Sequence, residues 1–135
     1  MAREKALRLL SIARKGRRVE LGEETVRQLT RDKRARLVLV AADASPHSLD
    51  RAYTLVKGSR QPVLVTPFDK ATLGGAMGTA SCALAAFNDV ALALAFCQAL
   101  EPGDVPPELL SDLEARVQRV RDKAAAGRHS KKRNV

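Results

Sequence analysis

The six-residue apolar run LVLVAA, Leu37–Ala42, constrains the fold more than any other stretch of the chain. It is shorter than a typical helix and rich in residues that favour strands. A strand that shows no alternation of apolar and polar residues is buried on both of its faces. The run therefore predicts a sheet that helices cover above and below.

Helical and strand patterns alternate along the rest of the first 100 residues. Helical spacing of apolar residues, or a capping residue before an apolar stretch, predicts helices over residues 3–15, 23–32, 46–57, 69–73 and 89–100. Short apolar or alternating stretches predict further strands over residues 17–21, 62–66 and 82–87. Such alternation with short connections is typical of a covered sheet. We therefore expect an α/β fold: a three-layer α/β/α sandwich with a four-stranded mixed sheet.

Several helix starts carry their own local signals. Ser45, Asp69 and Asp89 are predicted N-caps, since a short side-chain oxygen can accept the free N–H groups of a first turn. Pro46, directly after Ser45, suits the first helical position. The helix predicted after Gly22 begins with two acidic residues, which the positive end of the helix dipole favours.

Residues 101–135 form a C-terminal extension to the domain of residues 1–100. A helix is predicted over about residues 108–125, with a narrow apolar seam made of Leu110, Leu113, Val117, Val120 and Ala124. We favour packing of this seam against the domain over contact with a second chain, because two heptads are too few for a coiled coil. The basic stretch GRHSKKRNV that follows is expected to be disordered when free and to add phosphate contacts when the chain is bound to a partner that carries phosphates.

The sequence contains no clear pattern of residues for a catalytic or metal-binding site. Cys82 and Cys97 lie in apolar runs, and only two histidines occur, so a zinc site lacks clustered ligands. The glycine-rich stretch LGGAMGTAS, residues 73–81, lacks the lysine of a P-loop and follows a predicted helix rather than a strand. We therefore expect a protein that is not an enzyme and needs no cofactor.

The apolar stretch of residues 82–100 is long enough to raise the question of a membrane span. Asn88 and Asp89 interrupt it near the middle, where an acidic residue costs on the order of 3 kcal/mol in a bilayer. A strand, a polar turn and a helix explain the stretch better. We expect a cytoplasmic protein without a membrane partner.

The net charge of +9 is concentrated at the two ends of the chain. Residues 1–36 carry +7, residues 37–110 carry −3 and residues 111–135 carry +5. Two basic ends around a mildly acidic middle favour a polyanionic partner, a nucleic acid or an anionic membrane surface. The chain has three Phe, one Tyr and no Trp. This scarcity argues against binding of single-stranded nucleic acid by stacking of its bases on exposed aromatic rings.

The segment KGRRVELGEETVRQL, Lys15–Leu29, holds the most informative charges. Glu23 and Arg27 are four residues apart on the predicted helix, so they fit either a surface ion pair or a site that reads bases. A carboxylate accepts hydrogen bonds from a nucleobase, and a guanidinium donates to guanine acceptors. In the second interpretation the free N–H groups after Gly22 also donate, and the phosphates are held alongside by Lys15, Arg17 and Arg18.

Three stretches resemble the L7Ae ribosomal protein family, the kink-turn RNA-binding proteins. LGEETVR, Leu21–Arg27, is similar to the family's Gly-x-Asn-Glu-x-x-Lys helix start, and ARLVLVAADASP, Ala35–Pro46, looks like its central strand and loop. DKATLGGAMG, Asp69–Gly78, resembles its Lys-x-x-Leu-Gly-x-Ala-x-Gly helix and loop. The resemblance covers about residues 5–100 and is closest to the small bacterial YlxQ-type members.

The resemblance implies roles for individual residues. Glu24 matches the glutamate that accepts hydrogen bonds from a guanine of tandem G·A pairs, and Arg27 matches the lysine that reaches guanine. Glu23 takes the place of an asparagine, and Leu21 that of a glycine. The loop that packs against kinked or flipped-out bases corresponds to Thr79, Ala80, Ser81 and Leu84.

Together these features predict a non-catalytic protein that binds kinked or bulged structured RNA, such as ribosomal RNA or another kink-turn RNA. We expect a monomer, associated with the ribosome or another ribonucleoprotein. The alternative is a protein-interaction or scaffold module of the same fold with only non-specific affinity for RNA.

Overall fold

The computed structural model describes the backbone of residues 2–133 and the side chains of residues 3–127. The six described helices are α1 Ala2–Lys15, α2 Glu23–Arg31, α3 Pro46–Val56, α4 Lys70–Ala76, α5 Val90–Gln98 and α6 Pro107–Arg133. The strands are β1 Val19–Leu21, β2 Leu37–Val40, β3 Val63–Val65 and β4 Leu84–Phe87. The order of elements is the predicted one. For most elements, the observed boundaries differ from the predicted ones by a few residues.

The four strands form one mixed sheet in the order β1-β4-β2-β3. β4 runs antiparallel to both neighbours, with Phe87 opposite Val19 on one side and Leu37 on the other. β3 lies parallel to β2, with Val38 opposite Val63. The C-terminal ends of β1, β2 and β3 therefore meet the start of β4 at one edge of the sheet, and their starts meet the end of β4 at the opposite edge.

Alternate strand residues face two separate hydrophobic cores. Leu37, Leu39 and Phe87 point to the face that α1, α4, α5 and α6 cover. Val38, Val40 and Ala86 point to the other face, where they pack with residues of α2 and α3. The predicted three-layer α/β/α sandwich is confirmed, and the run LVLV of β2 is buried along its whole length because both faces are covered.

The predicted caps have the expected geometry. The side chains of Ser45, Asp69 and Asp89 accept hydrogen bonds from the backbone N–H groups of Ser48, Thr72 and Leu92 at 3.1, 2.7 and 3.0 Å. Hydrogen bonds with the side chain and with the backbone N–H of Thr72 lower the pKa of Asp69 from its usual range, because they stabilise the ionised carboxylate. Helix α4 continues through the glycine pair to Ala76 instead of ending near Leu73.

Helix α6 begins as part of the domain and then extends beyond it. Leu113 and Val117 are buried in the same core as α1 and α5, so the favoured packing of the extension against the domain is confirmed. Val120, in contrast, is 58 % exposed. The helix also continues past the predicted end near residue 125 as far as Arg133, so the basic stretch is helical where the structure describes it. Residues 134–135 lie outside the described part of the chain.

Candidate nucleic-acid interface

Gly22 connects β1 to α2 at the sheet edge where β4 begins. Its backbone has φ 99° and ψ 145°, a region used almost only by glycine. Its N–H donates to the carbonyl of Leu84 at 3.0 Å, and its own carbonyl accepts the N–H of Val26. No side chain caps α2, so the N–H groups of its first turn remain available as donors.

The charged side chains around this helix start are paired. Arg27 donates to Glu24 one turn earlier, whereas Glu23 accepts a hydrogen bond from Nε of Arg51 on α3 at 2.5 Å. The surface pair that the sequence suggested, Glu23 with Arg27, is therefore replaced by two others. Both pairs are solvent-exposed, and exposed ion pairs are worth about 0–1 kcal/mol, so a ligand can exchange them at small cost.

The loop of residues 79–81 lies beside Gly22 and is fixed by contacts with α4. The N–H of Thr79 donates to the carbonyl of Gly74 at 2.8 Å, and that of Cys82 donates to the carbonyl of Lys70 at 3.0 Å. A Cβ on Gly74 would lie 2.7 Å from the backbone nitrogen of Ser81, so only glycine lets the loop approach this closely. The side chains of Thr79, Ala80 and Ser81 are exposed.

A cleft of about 130 Å³ joins the helix start to this loop. It is lined by Leu21, Gly22, Glu23, Ser48, Ser81, Cys82, Ala83 and Leu84. Burial raises the pKa of the Cys82 thiol, so it brings no negative charge to the cleft at neutral pH. We name the surface made by Gly22, Glu23, Glu24, Arg27 and residues 79–81 the Gly22 edge.

Leu84 departs from its expected role. Its side chain is 3 % exposed and packs with Val26 and Val40 between the sheet and α2. At the Gly22 edge, its carbonyl accepts the N–H of Gly22, but its side chain presents no apolar surface to a base. The physical reason is that Leu84 is the first residue of a central strand, with helices on both faces.

The three predicted phosphate-binding cations lie at the other end of the sheet. Lys15 ends α1, and the carbonyls of Arg17 and Arg18 accept hydrogen bonds from Asn88, just after β4. At about 3.3 Å per residue, β1 separates Arg18 from Gly22 by about 13 Å. We name the surface at this end the basic edge: Arg17, Arg18, Lys33, Arg34, Arg36 and Arg60.

Two further residues belong to the Gly22 edge although the sequence did not point to them. Ser48 lines the cleft, and Arg51 pairs with Glu23 from 28 positions away along the chain. Both residues are on α3, whose start is brought to this edge because it follows the C-terminal end of β2. No local pattern links Arg51 to Glu23.

Among the residues that the structure describes, no group of three or more His, Cys, Asp or Glu side chains could hold a metal ion. Within the same residues, no helix combines the length and the apolar character needed to cross a membrane. Cys82 and Cys97 are both free thiols and buried.

Comparison with known proteins agrees with this architecture. A protein of unknown function from Bacillus halodurans has a similar structure, with a TM-score of 0.65 at 24 % identity over 70 % of this chain and 95 % of that one. A 15.5 kD RNA binding protein from Giardia lamblia is similar with a TM-score of 0.56 at 20 % identity, over 81 % of this chain and 84 % of that one. No curated protein matches the sequence.

The sequence of residues 4–93 matches the family described as ribosomal protein L7Ae/L30e/S12e/Gadd45. The matched region runs from α1 into α5 and includes the whole sheet and the Gly22 edge, while α6 lies outside it. With two thirds of its length matched and the fold in agreement, the chain belongs to the ribosomal protein L7Ae/L30e/S12e/Gadd45 family.

Proposed function

We propose that the chain is a non-catalytic RNA-binding protein that recognises kinked or bulged RNA of the kink-turn type through its Gly22 edge. The observation that carries the proposal is the uncapped start of α2, which has an exposed Glu24 and a half-buried Arg27 on its first turns and lies beside the exposed loop of residues 79–81. Family membership and the similar RNA binding protein from Giardia lamblia support it. A cytoplasmic ribonucleoprotein, such as the ribosome, is the assembly in which we expect it to act.

The proposed recognition uses complementary hydrogen bonds. Glu24, 83 % exposed, accepts from the amino and imino donors of a guanine in a G·A pair, and Arg27 donates to guanine acceptors. The first N–H groups of α2 add donors that need no side-chain movement. RNA presents such base edges where its helix is bulged or kinked, so binding selects the bent conformer from the RNA population.

The substitution Arg27→Ala tests this role. It should weaken binding to a kink-turn RNA by about 1–3 kcal/mol, because a charged donor to a base is lost. Binding to a variant RNA with its G·A pairs replaced should change much less. Fluorescence titration of both RNAs at one salt concentration measures the difference.

Arg31→Ala is the matched control, since Arg31 is exposed on the last turn of the same helix. It removes the same charge from α2 without touching the first turn. If wild-type protein binds the kink-turn RNA and the G·A-replaced RNA equally well, specific reading of G·A pairs is excluded.

A scaffold that binds another protein is the second candidate. The pairing of Glu23 with Arg51 favours it, because it leaves the Gly22 edge without excess positive charge to attract RNA. In that case wild-type protein should bind both RNAs weakly and equally, with an affinity that follows salt concentration alone.

A further inference from the structure

The basic edge continues onto α6 as two adjoining clefts. One, of about 290 Å³, is lined by Arg36, Val90, Arg116, Arg119, Val120 and Lys123. The other, of about 350 Å³, is lined by Lys33, Arg36, Gly58, Ser59, Arg60, Gln61 and Arg116. Six cationic side chains thus line the two clefts, and none of the described lining residues is acidic.

Two arginines shared by the clefts are held in place by the backbone. Nη1 of Arg36 donates to the carbonyl of Lys33 at 3.1 Å, and Nη2 of Arg116 donates to the carbonyl of Arg60 at 2.5 Å. Nε of Arg116 also lies 2.9 Å from a carboxylate oxygen of Asp112, which neutralises part of its charge. Both arginines are half-buried, so less side-chain entropy is lost when a ligand binds them.

The loops that carry these cations are fastened by one buried amide. Oε1 of Gln61 accepts the N–H of Ala35 at 3.0 Å, while Nε2 donates to the carbonyl of Thr30 at 3.0 Å and to Oγ of Ser59 at 3.1 Å. The connection between α2 and β2 is thereby joined to the connection between α3 and β3. Lys33 and Arg60 therefore project from backbone segments whose relative position is fixed.

The backbone also accepts strain to present cations here. Arg17 and Lys33 have φ values of 57° and 55°, the left-handed region that favours glycine. Each follows the end of a helix in the turn where glycine is usual, and the next N–H closes that turn onto Ala13 or Leu29. Side chains thus occupy positions at which glycine would be less strained.

We propose that the basic edge and the α6 face carrying Arg116, Arg119 and Lys123 form a second RNA-binding surface, which holds the phosphate backbone of an RNA helix without reading its bases. Four of the six lining cations are arginine, whose planar guanidinium suits phosphate. Unlike the Gly22 edge, the two clefts have no carboxylate among their described lining residues that could accept hydrogen bonds from a base. It lies across the sheet from that edge, so one protein can contact two segments of RNA.

RNA fits this surface better than an anionic membrane. A helix that binds a membrane surface needs a broad apolar face beside its cations. On the exposed part of α6 that the structure describes, Val120 is the one large apolar side chain, and residues 124–127 are Ala-Ala-Ala-Gly. The face therefore supplies charge without the apolar area that insertion requires.

The double variant Arg119→Gln/Lys123→Gln tests the proposal, because both side chains are exposed and lie outside the Gly22 edge. The probes are a blunt RNA duplex without G·A pairs and a kink-turn RNA with extended stems, titrated between 50 and 200 mM KCl. The plot of log K against log salt has a negative slope, and loss of two phosphate contacts should make it shallower by roughly 1.5 for both RNAs. Over that range the variant should lose about 8-fold less affinity than wild type does.

Arg8→Gln/Arg121→Gln is the matched control, with the same net charge but one change on α1 and one on the other side of α6. An equal drop in slope for both double variants would overturn the proposal, since it would reflect net charge alone. A loss of binding to phosphatidylserine vesicles without any change on RNA would also overturn it. The preference of each variant for G·A pairs reports separately on the Gly22 edge, so either proposal can fail alone.

Discussion

The Gly22 edge and the basic edge lie at opposite ends of the same four strands, yet they differ in both charge and backbone. At the Gly22 edge each carboxylate of the first turn of α2 is paired with an arginine. At the basic edge, in contrast, cations from the α2–β2 and α3–β3 connections and from α6 line two clefts. The residues suited to reading bases and the residues suited to attracting phosphate are therefore separated by the length of a strand.

The two edges also use positive φ in opposite ways. Gly22 is a glycine in a conformation that requires one, whereas Arg17 and Lys33 are cations where glycine would be easier. Close approach matters at the first edge, where Gly74 lets the loop of residues 79–81 pack. Charge matters at the basic edge, where Arg17 and Lys33 place cations on a backbone conformation that is strained for any residue with a side chain. Each edge can therefore be disturbed by a substitution that leaves the other edge unchanged.

The largest effect is expected from Gln61→Leu, which should loosen the basic edge. It removes the acceptor of the buried Ala35 N–H, and an orphaned buried donor costs about 1–3 kcal/mol. It also removes one hydrogen bond to the Thr30 carbonyl, which keeps the N–H of Lys33, at about 1 kcal/mol more, so the free energy of unfolding should fall by about 2–4 kcal/mol. Urea denaturation measures this loss. Gln28→Leu, at an exposed position of α2, is the control and should change stability by less than about 0.5 kcal/mol.

An intermediate effect is expected from Gly74→Ala, which should disturb the Gly22 edge alone. The new Cβ must displace the backbone at Ser81, a form of overpacking that costs about 1–3 kcal/mol. Discrimination between kink-turn and G·A-replaced RNA should fall, while the salt dependence of binding stays that of wild type.

The adjacent substitution Gly75→Ala is an internal control of opposite sign. A Cβ there meets nothing within 4 Å, so the gain in helix propensity should stabilise the protein by up to about 1 kcal/mol. Equal destabilisation by both substitutions would show that the close approach at Gly74 has no special role.

The smallest change in stability is expected from Arg17→Gly/Lys33→Gly at the basic edge. Relief of strain and the added freedom of glycine in the unfolded chain nearly cancel, so the free energy of unfolding should stay within about 1 kcal/mol of wild type. Affinity for duplex RNA at 50 mM salt should nevertheless fall, since two cations are lost. Thermal denaturation and titration of the same samples separate the two effects.

Gly22→Ala is the counterpart at the other edge and should destabilise the protein by about 1–3 kcal/mol, although open space surrounds the new methyl group. If Arg17→Gly/Lys33→Gly were as destabilising as Gly22→Ala, the contrast in backbone between the two edges would be wrong.

Much of the secondary structure could be predicted because its causes are local. The run Leu37–Val40, the caps at Ser45, Asp69 and Asp89, and the periodicity of α1 each depend on neighbouring residues. Helix ends were less predictable where packing decides them. Helix α4 passes through two glycines because Gly74 packs against a distant loop, not because glycine favours a helix.

The candidate site was predictable only in part. The sequence identified Gly22, Glu24 and Arg27 from a motif contained within seven residues, and the structure places them on one helix start. It could not identify Arg51, since the pair with Glu23 depends on how α3 packs beside α2. The resemblance placed Leu84 among the residues that pack against bases, but its side chain is buried, because coverage of a strand is decided by elements elsewhere in the chain.

The sequence by itself determined the order of helices and strands, their capping, and the family to which the chain belongs. Tertiary structure alone decided strand order and direction, because hydrogen bonds between β1, β4 and β2 join segments that are far apart in sequence. That direction sends Arg17 and Arg18 away from Gly22 although only a few residues separate them. It also brings Arg36 and Arg116, 80 positions apart, into the same clefts.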